Sequence, residues 1–183
     1  MVPTHVTAAP TSAGAAHPHA ESSHKLPVRT GLYTPEERKR RDDTRWTLVQ
    51  GILAPLQFLV MAISVALVVR YLKTGEGLFA ATVSVVVKTF VLYTIMWTGA
   101  IWEKVVFGQF LFARPFFWED VVSMGVIALH TAYLYGLYAG WPPRSLMVLA
   151  LVAYATYAVN ATQFILKLRA ARLQERLSVQ RVA

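Results

Sequence analysis

The chain has 183 residues, of which 55% are hydrophobic and only 15% are Asp, Glu, Lys or Arg, against about 25% charged residues in an average soluble domain. A mean hydropathy of +0.43 counts against an ordinary soluble enzyme. The net charge of +8 comes from basic residues that flank long apolar runs instead of lining one folded face, which excludes nucleic acid as a partner. With no cysteine, disulfides, thiolate zinc sites, iron–sulfur clusters and cysteine nucleophiles are excluded too.

Residues 1–32 are rich in Ala, Pro, Thr, Ser and His and hold His5, His17, His19 and His24. They lack any apolar run long enough for a signal-peptide core, and read as a disordered, solvated tail. Thr34-Pro35-Glu36-Glu37 then supplies a cap residue, a proline at the first helical position and a glutamate three residues after the cap. The helix it starts, a basic extension over 33–46, carries Arg38, Lys39, Arg40, Arg41 and Arg45. It is expected to continue unbroken into the first apolar run, 46–72, with a kink at Pro55. The second run, 78–102, is interrupted only by Lys88. The third, 121–138, is entered through Glu119 and Asp120 and contains His130. The fourth, 145–166, leads into a basic tail over 171–183. At about 1.5 Å per residue, about 20 apolar residues cross the ~30 Å hydrocarbon core. The linkers 73–77 and 139–144 are short enough to force antiparallel neighbours. The fold class expected is an all-α membrane protein with four transmembrane helices in 47–170.

Charge sets the orientation. Seven Lys/Arg precede the first run, two (Lys104, Arg114) separate the second from the third, and five follow the fourth. Only Arg70, Lys73 and Arg144 lie on the opposite side. The positive-inside bias puts both termini in the cytoplasm. Trp46, Trp102, Trp118 and Trp141 stand at run ends, where interfacial anchors belong.

Ionisable groups at membrane depth are costly and are candidates for function. Lys88 and His130 lie ~21 Å and ~16 Å from the cytoplasmic ends, in one layer. The plainer readings are a snorkelling lysine and a core histidine bonded to a neighbour. Glu119, Ser123, His130 and Tyr133 share a helix face, with Asp120 and Thr131 beside them. Gln50, Gln57 and Ser64 repeat every seven residues, and Tyr157, Asn160 and Gln163 form a further stripe. Such stripes suggest a cavity between the helices with lipid outside; interhelical hydrogen bonding is the alternative.

The stretch 100–123, AIWEKVVFGQFLFARPFFWEDVVS, repeats Trp-Glu-Lys-Val-Val as Trp-Glu-Asp-Val-Val, with five phenylalanines between. It is too apolar for a free loop and too interrupted for a span, so it reads as an interfacial or re-entrant segment. Glu103, Glu119 and Asp120 would gather at one cytoplasmic mouth walled by aromatics. Carboxylates crowded in a half-dry site repel, so one of them is expected to hold a proton. The alternative is a set of surface carboxylates paired with Lys104 and Arg114. Phosphate loops, nucleotide fingerprints, Gly-x-Ser-x-Gly and His-Glu-x-x-His are missing, which points to cofactor-free chemistry or to none.

LYTPEERKRRDDTRWTLVQGILAPLQFLV (32–60), VVKTFVLYTIMWTGAIWEKVVFG (86–108) and FFWEDVVSMGVIALHTAYL (116–134) closely resemble the vinyl bacteriochlorophyllide hydratase family of anoxygenic phototrophs. The resemblance covers about 32–170. It implies a hydro-lyase that adds water across the 3-vinyl group of a chlorophyllide or bacteriochlorophyllide, giving a 1-hydroxyethyl group. The implied setting is bacteriochlorophyll biosynthesis, in the cytoplasmic or intracytoplasmic photosynthetic membrane. Lipid and other enzymes of that biosynthesis would surround it. No cofactor is implied, since the magnesium arrives with the substrate. Hydration of that kind needs a proton on the terminal vinyl carbon and a base to orient water. Within this resemblance Glu119, Asp120 or Glu103 is the expected acid and water base. His130 is a relay or the axial ligand to the substrate's magnesium, and Lys104 or Arg114 holds the propionate. Lys88, Gln57 and Asn160 contact the substrate. Two other classes stay open, a non-enzymatic pigment-binding or assembly protein and a small transporter. Hydration of added pigment separates enzyme from binder.

Overall fold

A computed structural model describes residues 31–180 as five helices: α1 (Pro35–Asp43), α2 (Arg45–Thr74), α3 (Leu78–Phe107), α4 (Phe117–Tyr138) and α5 (Pro143–Gln180). The four tail histidines and Arg181 lie outside the described residues.

The capping signal at Thr34 forms as expected. Thr34 Oγ1 accepts from the Glu37 amide at 3.2 Å, and Glu37 Oε2 accepts from the Thr34 amide at 2.8 Å. The expected continuous helix through residue 44 does not form. Thr44 is extended (φ −84°, ψ 136°); its amide closes α1 on Arg40 O, and its hydroxyl caps α2 by accepting from Trp46 N. The break falls where composition changes from charged to apolar, and a threonine there stabilises two helix ends at once. In contrast, α2 runs through Pro55 with helical residues on both sides. It ends at Gly75, whose φ of 76° needs a residue without a Cβ.

Among the described residues, α2, α3, α4 and the part of α5 from Pro143 to Gln174 are long and apolar enough to cross a membrane. Their polarity is inverted relative to a soluble bundle. Leu48, Ile52, Leu56, Leu59 and Ile63 form an exposed stripe on α2, while Gln57 and Ser64 of the same helix are buried. That is the pattern of helices that present apolar side chains to lipid and polar ones to each other. α2 packs mainly along α3, α4 along α5, and α2 joins the two pairs through α5. Val68, Ala81, Val85, Met147 and Ala150 form the apolar core where α2–α3 meets α4–α5. The α4–α5 turn is closed by Trp141, whose amide donates to Gly136 O at 2.9 Å and whose ring lies against Gly136.

Two helices exceed their expected bounds. α4 begins at Phe117, ahead of the expected apolar run, so Glu119 and Asp120 stand in its first turn, both buried. α5 continues to Gln180, so most of the expected tail over 171–183 is helical. Between α3 and α4 the chain is non-helical. Leu111 and Phe112 have φ of 55° and 54°, two successive left-handed residues without glycine.

Candidate active site

A cavity of about 570 Å³ opens among the helices, beside α1 and the α3–α4 connection. Its volume is in the range of small-molecule sites, ~300–1,000 Å³. Its lining is mostly apolar; the polar groups in it include Glu103, Asp120, Ser123 and Asn160, with Asp42, Thr47 and Gln50 nearer α1 and the start of α2.

Glu103 stands near the end of α3 and Asp120 in the first turn of α4, and both buried carboxyl groups line the cavity beside the connecting loop. Neighbouring carboxylates in a half-dry site repel unless one of them holds a proton. Each carboxyl also accepts from the connecting loop. Phe112 N donates to Asp120 Oδ2 at 2.6 Å, and Ala113 N donates to Glu103 Oε2 at 3.2 Å. A left-handed non-glycine residue costs roughly 1–2 kcal/mol. A hydrogen bond to a charged group contributes about 1.5–3 kcal/mol. The two amide bonds therefore offset the two strained residues that aim the amides at the pair.

One turn inward from the pair, Asn160 Nδ2 donates to Ser123 Oγ at 2.7 Å, while Asn160 Oδ1 is buried without a partner. The outer wall is aromatic. Phe116 stacks on Phe164 with centroids 5.7 Å apart and meets Trp102 edge-on at 5.8 Å. Tyr33 stacks on Phe107 at 5.7 Å. Trp102 Nε1 donates to Thr47 Oγ1 at 2.9 Å, and that hydroxyl donates to Arg41 O at 2.6 Å, which ties the wall to the α1–α2 break. Arg41 and Arg172 bring positive charge to the cavity lining from α1 and α5.

A profile of the 2-vinyl bacteriochlorophyllide hydratases matches residues 33–170. The chain belongs to the 2-vinyl bacteriochlorophyllide hydratase family. It is 66% identical over 153 residues to the 2-vinyl bacteriochlorophyllide hydratase of Rhodobacter capsulatus, covering 84% of this chain and 90% of that one. It is 71% identical over 142 residues to the protein of the same name from Cereibacter sphaeroides, covering 78% and 89%. No solved structure matches.

Within this family member, the residues picked from sequence divide into three groups. Glu103, Asp120 and Asn160 line the cavity together. Glu119 does not line it; buried beside Asp120, it accepts from Lys167 Nζ at 2.5 Å, and the same ammonium donates to Pro115 O. The expected partners Lys104 and Arg114 do not pair with it. Lys104 Nζ instead donates to Gly108 O at 2.8 Å and sits 5.3 Å from the Phe110 ring centroid, and Arg114 is exposed. Lys88, Gln57 and His130 form the third group, buried deeper in the bundle and outside the cavity lining. His130 Nδ1 bonds Val126 O at 2.8 Å, one turn beyond a residue that does line the cavity.

Sequence reasoning missed Arg41, Arg172 and Lys167. Both arginines flank an apolar run, and in the sequence alone they speak only for membrane topology. Lys167 is separated from Glu119 by 48 residues, and no local pattern joins them.

Proposed function

We propose that this chain adds water across the vinyl substituent of a bacteriochlorophyllide, the substrate in its relatives' names. The observation that carries the mechanism is the Glu103–Asp120 carboxyl pair, both members lining an aromatic cavity and each gripped by an amide of the same loop. The macrocycle lies against Phe116, Phe164 and Trp102. The proton shared by the pair passes to the terminal vinyl carbon, and the cation left on the carbon next to the ring is delocalised into the macrocycle. Water held at Asn160 Oδ1 adds its oxygen to that carbon and returns one proton to the pair. One water is consumed and the pair is restored. The addition changes no net oxidation level, so the reaction calls for no redox cofactor, and the magnesium belongs to the substrate. Asp120 and Glu103 are the general acid and base; Glu119, neutralised by Lys167, holds the loop instead.

Arg41 and Arg172 are the groups we assign to the propionate carboxylate, in place of Lys104 and Arg114. A guanidinium suits a carboxylate better than an ammonium does, because it binds in two-point fashion. The charge distribution supports cytoplasmic termini, with the cavity mouth and the connecting segment 108–116 at the cytoplasmic surface of the photosynthetic membrane. Residues 33–46 and the basic end of α5 then border that surface, among lipid and the other enzymes of the biosynthesis.

The test is to incubate membranes containing the protein with vinyl bacteriochlorophyllide in ¹⁸O-water and to analyse the pigment by mass. The expected product has gained one labelled water. Correctly inserted protein that leaves the pigment unchanged would overturn the proposal.

A further inference from the structure

The cavity uses only part of the buried polarity of this bundle. Behind it lie Gln57, Lys88 and His130, each wholly buried. Lys88 Nζ, both amide atoms of Gln57 and Nε2 of His130 have no hydrogen-bond partner in the protein. These groups come from three helices, yet they sit at one level. Gln50 Nε2 donates to Thr98 Oγ1 at 2.8 Å, and Ser64 Oγ meets Ser84 Oγ at 2.8 Å. Gln57 lies two turns from each end of that ladder, within about one turn of Lys88 across the α2–α3 seam. Lys88 Nζ lies 4.1 Å from the Tyr157 ring centroid and 6.0 Å from that of Tyr154. The His130 ring is 5.8 Å from Tyr154, whose hydroxyl bonds Ser64 Oγ at 2.7 Å.

Tyr157 joins the two regions, because it lines the cavity while Lys88 sits over its ring. From the acid pair the polar groups therefore follow one another through the bundle: Ser123 and Asn160, then Lys88 over the Tyr157 ring with Gln57 about one turn away across the seam, then His130, Tyr154 and Ser64. Buried polar groups need partners, and at membrane depth an unpartnered lysine is especially costly. We infer that Gln57, Lys88 and His130 enclose a compartment of ordered water that opens behind Tyr157 onto the cavity and supplies the water consumed in hydration. Water fits better than an anion. The unpartnered set includes Gln57 Oε1, an acceptor that an anion would leave unsatisfied, whereas water both donates and accepts. A macrocycle seated in the cavity blocks the aqueous mouth, so the nucleophile must come from the protein side. The role assigned to the compartment rests on the hydration reading; its existence does not.

Two measurements test it on the full chain in lipid nanodiscs. The first is hydroxyl-radical footprinting of pigment-free protein in ¹⁸O-water, where radicals generated from bound water label adjacent side chains. Tyr154 and His130, 3% and 0% exposed, should take up label. In Gln57→Leu/Lys88→Met the label at both should fall at least about fivefold, as expected when polar partners of buried water are removed, with exposed Tyr138 unchanged. Unlabelled Tyr154 and His130 in the unaltered protein would overturn the compartment, and that arm needs neither a variant nor activity. The second is single-turnover hydration beside pigment affinity. The variant should be slower by about tenfold or more with Kd within about twofold, a change in a step after binding. An unaltered rate, or a rate in the unaltered protein that depends on chloride when gluconate replaces it, would overturn the water-supply role. If the unaltered protein labels as expected but hydrates no pigment, the hydration reading fails and the compartment stands.

Discussion

Replacing Asp120 by Asn separates proton transfer from loop support. Asn keeps the volume and an oxygen that can accept from Phe112 N, now 2.6 Å from Asp120 Oδ2. It cannot share an acidic proton with Glu103. General acid–base catalysis contributes about 10²–10⁴-fold, equivalent to ~2.7–5.5 kcal/mol of barrier at ~1.36 kcal/mol per decade. Exchange of a charge-assisted for a neutral hydrogen bond at Phe112 costs only about 1 kcal/mol of stability. Asp120→Ala removes the acceptor altogether, leaving the amide unsatisfied at a cost of roughly 1–3 kcal/mol. The two variants should therefore be similarly slow in single-turnover hydration, at least about a hundredfold below the unaltered protein, but differ in thermal stability, with Ala lower. Glu103→Gln should behave like Asp120→Asn. The assay is product formation and pigment binding per folded molecule, beside a melting curve. If both amide variants hydrate at near the unaltered rate, the pair only fastens the loop and the acid lies elsewhere.

Glu119→Gln should keep its rate within about fivefold, because its carboxylate is held by Lys167 outside the cavity, whereas Lys167→Met should destabilise by about 3 kcal/mol by stranding a buried charge; a hundredfold rate loss in Glu119→Gln alone would move the acid to that residue. Arg172→Gln should weaken binding of the free-acid pigment about tenfold and leave a propionate methyl ester unaffected, as for a charge-assisted bond worth ~1.4 kcal/mol; equal loss for acid and ester refutes the contact. Gly136→Ala places a Cβ 2.6 Å from Trp141 Cε3 and 2.9 Å from Leu146 Cδ2, and should cost about 1–3 kcal/mol by overpacking, read as a lowered Tm with hydration intact. Reporter fusions after Lys73 and Gly140 should report the side opposite to fusions after Gly108 and at the C-terminus; a C-terminus on the same side as Lys73 is incompatible with four spans.

The spans were legible because lipid demands long apolar runs, and their ends because glycine, proline and tryptophan mark them. The polar faces were largely legible as well: Glu119, Asp120, Ser123, His130 and Tyr133, grouped by helical spacing, are all buried on α4, whereas Thr131, grouped beside them, is exposed. Spacing could not show how those faces divide. Helical periodicity gives direction around an axis, but whether His130 meets the cavity or the space behind it depends on where Tyr157 and Val126 of two helices meet. The break at Thr44 was hidden for a related reason. Threonine in the middle of a helical pattern is tolerated, and only the hydrogen bonds at both of its sides reveal it as a cap. Lys167 and the loop amides are contacts across distant sequence, invisible to any local count.

The fastening of Leu111 and Phe112 by the acid pair has an evolutionary corollary. Selection at 111–113 acts on the path of the main chain, because what the carboxyl groups grip are amide hydrogens and not side chains. Side-chain identity is free to drift at exposed Phe112, provided the residue tolerates a left-handed turn, whereas buried Ala113 and cavity-lining Leu111 are held by packing as well. Replacement by proline at 112 or 113 would delete a gripped hydrogen outright. A chimera that transplants the two acids into another membrane bundle without this backbone would inherit the charges and lose the geometry that pairs them.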